Sequence, residues 1–186
     1  MSSQAQSNLS SSAKYCILNI TGWSMEPLIK KGDKVVVDRS KRDFEFGDIV
    51  VVSGNSKVFV HRLVAKDSHG AISFYTKGDA SIYWDSQDED FLDGVNYSDL
   101  EGTVVAILRK SGERINLMSD EEKKTSKKVA YFSRLHFVFA KVLLSLYKPF
   151  RSFGFFEQAP DGTPRCVENI CRRTTNIVVT ILSTKT

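Results

Sequence analysis

Ser24 lies in a turn of the type that can expose a reactive hydroxyl. It occurs in the segment GWSMEP, between the apolar run YCILNI and a turn containing Pro27, and Gly22 beside it permits close backbone approach. A serine oxygen becomes a nucleophile when a base lies within hydrogen-bond reach and backbone N–H groups can hold an oxyanion. A serine in such a turn is more often an ordinary turn residue, so its potential partners decide the interpretation.

Three histidines could supply the base. His61 follows the run VFV inside a predicted strand, whereas His69 lies in the turn DSHG and His136 lies in an amphipathic helix. A lone strand histidine is commonly structural, but imidazole can act as a base near neutral pH without special tuning, while a lysine needs strong desolvation. His61 is therefore the best-placed base in the chain.

A carboxylate should orient the imidazole, and the segment KGDASIYWD offers two. Asp79 follows Gly78 in a tight turn, where a structural Asx-turn is the plain alternative. Asp85 lies beyond the aromatic pair at 83–84, which could shield a buried carboxylate. The acids at 88–90 form a charge run typical of a solvated loop.

The residues around these candidates predict a β-rich region from 15 to 108. Short β-branched or aromatic runs are separated by Gly, Asp and Asn, with no helical stretch between them. These runs are YCILNI, DKVVVDR, DIVVVSG, KVFVHRLVA, AISFYTKG and GTVVAILRK. The pattern favours a mainly β fold with a coiled antiparallel sheet, followed by C-terminal α-helices.

The hydrophobic period changes near residue 119 and predicts an amphipathic basic helix over 121–148. Ser119 or Asp120 could cap it. Basic residues recur every seven positions and form one stripe, at Lys127, Arg134, Lys141 and Lys148. The segment 129–147 is long enough to cross a bilayer, but two bases near its middle disfavour a span. Two alternatives are left: a helix in the plane of a membrane surface, or one packed over the sheet. A second helix is predicted from Thr163.

Composition divides the chain into three parts. Residues 1–14 are polar and Ser-rich, which predicts a disordered tail without a signal peptide. A catalytic β-domain is expected over 15–118 and a helical extension over 119–186. The three cysteines are odd in number and lack the spacing of a zinc site, so no metal or cofactor is expected. A cytoplasmic or peripheral-membrane location is the simplest prediction.

The net charge of +4 describes neither half of the chain. Residues 79–101 contain eight acids and no Lys or Arg, while residues 121–151 contain eight bases against two acids. A nucleic-acid partner would have to bind the basic part alone, so none is expected.

The ordered motifs resemble the signal peptidase I superfamily, which includes LexA-type repressors. These motifs are GWSMEP, KKGDKVVV, FGDIVVV, VHRLV, YTKGDAS with Asp85, and GTVVAI, over roughly residues 15–110. Bacterial signal peptidases and LexA-type members pair the serine with a lysine on the strand that corresponds to VFVHRLV. His61 at that place resembles the archaeal and endoplasmic-reticulum type of signal peptidase, which uses Ser, His and Asp.

The resemblance implies a serine endopeptidase that processes a precursor or leader peptide. It implies Ser24 as the nucleophile, His61 as the base, Asp85 as the triad aspartate and Asp79 as the supporting KGD aspartate. The Ser24 backbone N–H would donate to the oxyanion, and Gly22, Trp23 and Met25 would border the oxyanion and the peptide substrate.

Two features depart from signal peptidases: Gly22 replaces a serine that serves their oxyanion hole, and the N-terminal residues are polar where a membrane segment is usual. A self-cleaving or non-catalytic regulator, or a membrane-surface module using helix 129–147, is therefore the alternative.

Overall fold

Nine β-strands, one long α-helix and a short 3-10 helix at Tyr97–Asp99 are the regular elements of residues 5–147 that the structure describes. A computed structural model describes residues 5–6, 13–54, 58–67, 73–81, 85 and 94–147, with residues 169–170, 173–174 and 177. In chain order the elements are β1 (Ala5–Gln6), β2 (Tyr15–Ile20), β3 (Lys34–Asp38), β4 (Ile49–Ser53), β5 (Val58–Asp67), β6 (Ser73–Lys77), β7 (Val95–Asn96), β8 (Leu100–Leu108), β9 (Arg114–Asn116) and α1 (Asp120–Tyr147).

The strands form one antiparallel sheet in the order β1-β2-β3-β8-β4-β5-β6-β7, with β9 paired to β8. Register shifts interrupt the pairing of β3 with β8, of β4 with β8 and of β5 with β6. Irregularities of this kind bend a sheet and increase its twist. The predicted mainly β, coiled antiparallel fold is confirmed, with one long C-terminal helix described where α-helices were predicted.

The central strand β4 is buried on both faces, which explains its unbroken apolar run. Ile49 and Val51 belong to one buried cluster, whereas Val50 and Val52 belong to a second cluster rich in aromatic side chains. Successive strand residues point to opposite faces of a sheet. The sheet therefore has apolar packing on both sides, and the loops and the helix that supply it also surround the site.

The loop between β2 and β3 is held at both its ends. The Ile20 amide donates to the Asp33 carbonyl at 2.9 Å, and the Gly32 amide donates to the Ile20 carbonyl at 2.7 Å. Within the loop, Met25 and Ile29 are buried in the first apolar cluster. The loop that carries Ser24 is therefore fixed to the sheet by its base and by two apolar side chains.

Helix α1 begins one residue before the predicted start and ends one residue before the predicted end. The Ser119 hydroxyl accepts a hydrogen bond from the Glu122 amide at 3.3 Å, which makes Ser119 the cap. Near this end, Lys127 Nζ donates to Glu45 at 3.1 Å and lowers the pKa of that carboxyl. Both side chains are more than half exposed, so this pair adds little stability.

The two long faces of α1 have different surroundings. Val129, Ala130 and Ser133 are buried, and this inner face packs against β5. The opposite, outer face exposes large apolar side chains, namely Tyr131, Leu135, Val138, Phe139, Val142 and Leu146. Packing over the sheet, one of the two predicted alternatives, therefore describes the inner face and leaves the outer face open. No helix within the described residues is long and apolar enough to cross a membrane.

Two predictions about the chain ends have different outcomes. Within the predicted tail, Ala5–Gln6 pair with β2, a strand that the polar sequence did not predict. Of the predicted second helix, residues 169–170, 173–174 and 177 have helical backbone, and the rest lies outside the described residues.

Candidate active site

Ser24, His61 and Asp85 form a continuous row of polar contacts. Ser24 Oγ lies 2.9 Å from His61 Nε2, and His61 Nδ1 lies 2.6 Å from Asp85 Oδ2. These residues are 37 and 24 positions apart in the sequence, so the fold alone brings them together. A hydroxyl, an imidazole and a carboxylate in this order have the geometry in which the imidazole can take a proton from the hydroxyl.

Three structural elements place these side chains. Ser24 lies in the β2–β3 loop, His61 lies on β5, and Asp85 follows the end of β6. Thr76 on β6 adds a third contact, because its hydroxyl donates to Asp85 Oδ2 at 2.6 Å. Asp85 thus accepts from a hydroxyl while it contacts the imidazole.

The site is largely removed from water. Ser24 is 6% exposed and His61 is 4% exposed. The ring of Phe59 lies beside the imidazole, with 4.8 Å between the ring centroids. Low exposure strengthens polar contacts among the three groups because water does not screen them.

A turn formed by residues 78–81 packs directly on Ser24. The Ala80 amide donates to the Ser24 carbonyl at 2.8 Å, and the Ser81 amide donates to the Gly78 carbonyl at 3.0 Å. A Cβ atom on Gly78 would lie 2.7 Å from the Ser24 carbonyl oxygen and 2.9 Å from Ser24 Cβ. Glycine is therefore required at position 78 for this close backbone contact, and the turn sets the position of Ser24.

Asp79, in the same turn, forms a buried ion pair with Arg62. The guanidinium donates through Nε to Oδ1 at 2.8 Å and through a terminal nitrogen to Oδ2 at 2.7 Å, and both side chains are 0% exposed. Paired bonds of this kind fix the orientation of both groups. Asp79 therefore does more than occupy a turn, because its carboxylate binds Arg62 on β5.

The predicted substrate-contacting residues lie at different depths. Trp23 is 45% exposed beside Ser24, and Gly22 is half-buried. The Met25 side chain is 2% exposed and belongs to the apolar core. Its side chain therefore packs beneath the loop, while Trp23 has the surface that a peptide could reach.

A family model described as Peptidase S24-like matches residues 3–73. This stretch contains Ser24 and His61 and ends before Asp79 and Asp85. The match supports membership of the LexA/signal-peptidase-like serine peptidase superfamily. Because the Peptidase S24 family includes non-catalytic members, the match supports a serine peptidase type of fold and leaves the reaction open. No curated protein matches the sequence.

Several residues considered as candidates for the site lie outside the described residues. His69, the aromatic pair at 83–84 and the acids at 88–90 lie outside the described residues, as does the side chain of His136. Among the described residues, no three His, Cys, Asp or Glu side chains are grouped to hold a metal ion.

Sequence reasoning missed Thr76, Arg62 and Lys77 as parts of the site. Arg62 lies directly opposite Lys77 in the pairing of β5 with β6, and Leu63 lies opposite Thr76. The sequence did predict that the two runs form neighbouring strands. Antiparallel pairing of β5 with β6 brings the segment TKGD beside the segment VHRL. The register that decides which residues meet depends on an irregularity near Leu63 that no local pattern predicts.

Replacing Asp79 by Asn should destabilise the protein strongly. Asp79→Asn leaves the Arg62 charge buried without its carboxylate, so we expect the free energy of unfolding to fall by about 3–5 kcal/mol. Urea unfolding followed by circular dichroism measures this loss. The matched control is Glu101→Gln, which breaks the more exposed Arg39–Glu101 pair and should cost about 0–1 kcal/mol. Equal losses in the two variants would contradict the assigned role of the buried pair.

Proposed function

We propose that this protein is a serine endopeptidase that uses Ser24 as nucleophile, His61 as base and Asp85 as the orienting carboxylate. The observation that carries the proposal is the row of contacts at 2.9 Å and 2.6 Å through the two imidazole nitrogens. A structural histidine needs only one partner, whereas here both nitrogens contact groups suited to proton transfer. The motif resemblance supports the same reaction class, and the Peptidase S24-like match supports the serine peptidase type of fold that would carry the reaction.

The proposed reaction begins when His61 Nε2 takes the Ser24 hydroxyl proton as the oxygen attacks a peptide carbonyl. The Ser24 backbone N–H donates to the oxyanion that forms. The peptide C–N bond then breaks, His61 gives the proton to the leaving amine, and an acyl-enzyme remains. Water attacks the ester, with His61 again taking and returning a proton, and the serine hydroxyl is restored.

Asp85 and Thr76 together favour the imidazole tautomer that this reaction needs. With a proton on Nδ1, His61 donates to Asp85 and leaves Nε2 free to accept from Ser24. The Thr76 hydroxyl donates to the same carboxylate oxygen at 2.6 Å and holds it in place. Asp85 remains an acceptor throughout and stabilises the imidazolium that forms.

The segment β1 indicates where an extended peptide could bind. β1 pairs with β2 antiparallel, with Ala5 opposite Ile20, and also lies against β5. β2 leads directly into the Ser24 loop, and β5 carries His61. The edge of β2 that β1 occupies offers backbone donors and acceptors, so a substrate that took the place of β1 would bind there by β-augmentation.

Ser24→Ala should abolish cleavage of peptides that carry small residues before the scissile bond. Loss of the nucleophile should lower the rate by at least about 10³-fold, and Asp85→Asn should lower it by about 10²–10⁴-fold. Product formation is followed by mass spectrometry, together with covalent labelling of Ser24 by a fluorophosphonate. The exposed Ser98→Ala variant is the matched control and should retain full activity. Equal cleavage by wild type and Ser24→Ala would exclude the proposal.

A second candidate is self-processing, and the seating of β1 beside the Ser24-bearing segment favours it. If β1 belongs to an internal substrate, the protein should shorten near its N-terminus during incubation. Intact mass spectrometry at two protein concentrations tenfold apart measures this. We expect a rate independent of concentration and an intact Ser24→Ala variant. Unchanged wild-type mass, or equal shortening of both proteins, would contradict self-processing.

A membrane surface is the partner that the outer face of α1 favours. Its six large apolar side chains are between 46% and 64% exposed. Exposed bases at Lys124, Lys128 and Arg134 lie along the same helix and would face anionic headgroups. This arrangement supports a peripheral membrane location and leaves signal-peptide processing as one of the reactions the endopeptidase could perform.

We expect the protein to float with vesicles containing anionic phosphatidylglycerol at low salt and to release as salt is raised. Leu135→Asp combined with Val142→Asp should abolish flotation, because both charges enter the apolar face, while peptide cleavage in solution continues. Vesicles of phosphatidylcholine alone are the lipid control. Absence of binding to anionic vesicles at low salt, or equal binding by the double variant, would contradict the membrane partner.

A further inference from the structure

Lys77 is a completely buried basic residue that contacts helix α1. Its side chain is 0% exposed, and Nζ donates to Ser133 Oγ at 2.8 Å and to the Gly78 carbonyl at 3.1 Å. A buried amine is costly unless hydrogen-bond partners replace water. Ser133 is itself 3% exposed, lies on α1 and is 56 positions from Lys77 in the chain.

Arg62 makes a parallel contact with the same helix. Arg62 and Lys77 are direct neighbours across β5 and β6. The Arg62 guanidinium donates to Ser126 Oγ, and Ser126 Oγ donates to the Gly47 carbonyl at 2.7 Å. Ser126 and Ser133 lie seven positions apart, which places them two turns apart on one face of the helix. Helix α1 therefore meets both buried basic side chains with hydroxyl groups.

Both basic side chains also hold the turn that contacts Ser24. Lys77 donates to the Gly78 carbonyl, which also accepts the Ser81 amide, and Arg62 holds Asp79. The turn then donates through the Ala80 amide to the Ser24 carbonyl. A continuous series of contacts thus leads from α1 to the backbone of Ser24.

We propose that Ser133 and Lys77 are positioning residues for Ser24, so that helix α1 is part of the apparatus that sets the Ser24–His61 contact. The inference rests on the proposed function and deepens it, since it concerns how the same serine is held. Ser133 contacts neither substrate nor the reacting atoms, and it acts through Lys77 and the carbonyl of Gly78. Removing its hydroxyl takes away one acceptor from Lys77 and loosens the turn under Ser24.

Small displacements at this place matter because the reaction depends on distance. A misplacement of about 1 Å can cost about 10²-fold in rate. The contact between Ser24 and His61 is a single hydrogen bond of 2.9 Å. A role confined to stability would lower the unfolding midpoint of a Ser133 variant and leave this contact unchanged in the folded protein.

The first test measures the rate at which a fluorophosphonate labels Ser24. Ser133→Ala should slow labelling about tenfold under conditions where urea unfolding shows the variant to be fully folded. Ser145→Ala, an exposed serine on the same helix, is the matched control and should label at the wild-type rate. Because Ser133 acts through Lys77, adding Ser133→Ala to Lys77→Met should slow labelling no further. Independent, multiplicative effects of the two substitutions would overturn the proposal.

The second test does not require peptidase activity. Nitrogen-15 spectra of labelled histidine report the His61 Nε2 resonance, assigned with a His61→Gln variant. Ser24→Ala should shift this resonance in the wild-type and Ser145→Ala backgrounds, and should shift it by less than half as much in the Ser133→Ala background. Ser133→Thr, which retains a hydroxyl, should restore the full shift.

The two tests separate failure of the function from failure of the inference. A wild-type protein that is neither labelled nor active would overturn the peptidase proposal, while the spectra would still decide how Ser24 is held. A full Ser24-dependent shift in the Ser133→Ala background would overturn the positioning role, whatever the activity of the protein.

Discussion

The buried ion pair between Arg62 and Asp79 is the interaction on which the rest of the site depends. Two charges at 0% exposure need complete pairing, because an unpaired charge in the interior is strongly destabilising. The pair draws together β5 and the turn after β6, and the remaining guanidinium contacts reach Gly47 and Ser126. All the contacts of the Arg62 guanidinium can form together only when β5, the turn after β6 and helix α1 have their native positions. The same turn donates to the Ser24 carbonyl, so the requirement extends to the candidate nucleophile.

Alternation along two strands separates the reacting groups from their support. On β5, His61 contacts Ser24 and Asp85, and the next residue, Arg62, contacts Asp79 and α1. On β6, Thr76 contacts Asp85, and the next residue, Lys77, contacts α1. Because successive side chains point to opposite faces, the sheet keeps the proton-transfer groups on one side and the buried basic groups on the other. Neither set can move without the other, since they share the same backbone.

Much of this arrangement could be predicted from the sequence, and the parts that could not have a common cause. The predicted strand YCILNI has the same bounds as β2 in the structure. Its β-branched and apolar composition and the turn that follows it both indicate a strand there. Ser24, His61 and Asp85 could be grouped because the motifs that contain them resemble those of the Ser-His-Asp signal peptidases. Thr76, Lys77 and the role of α1 depend on strand register and on helix docking, which link distant segments. The pairing of β1 with β2 likewise depends on the edge that β2 offers, because the polar residues around Ala5–Gln6 have no strand pattern of their own.

The composition of α1 follows from what each of its faces must satisfy. An ordinary surface helix buries its large apolar residues and exposes its polar ones. Among its described residues, the inner face buries Val129, Ala130 and Ser133, and the hydroxyls of Ser126 and Ser133 accept hydrogen bonds from the buried basic groups. Six large apolar side chains are exposed on the outer face, and an exposed patch of this kind is typical of an interaction surface. The same helix therefore supplies hydrogen-bond acceptors to buried basic groups on one face and exposes an apolar surface on the other.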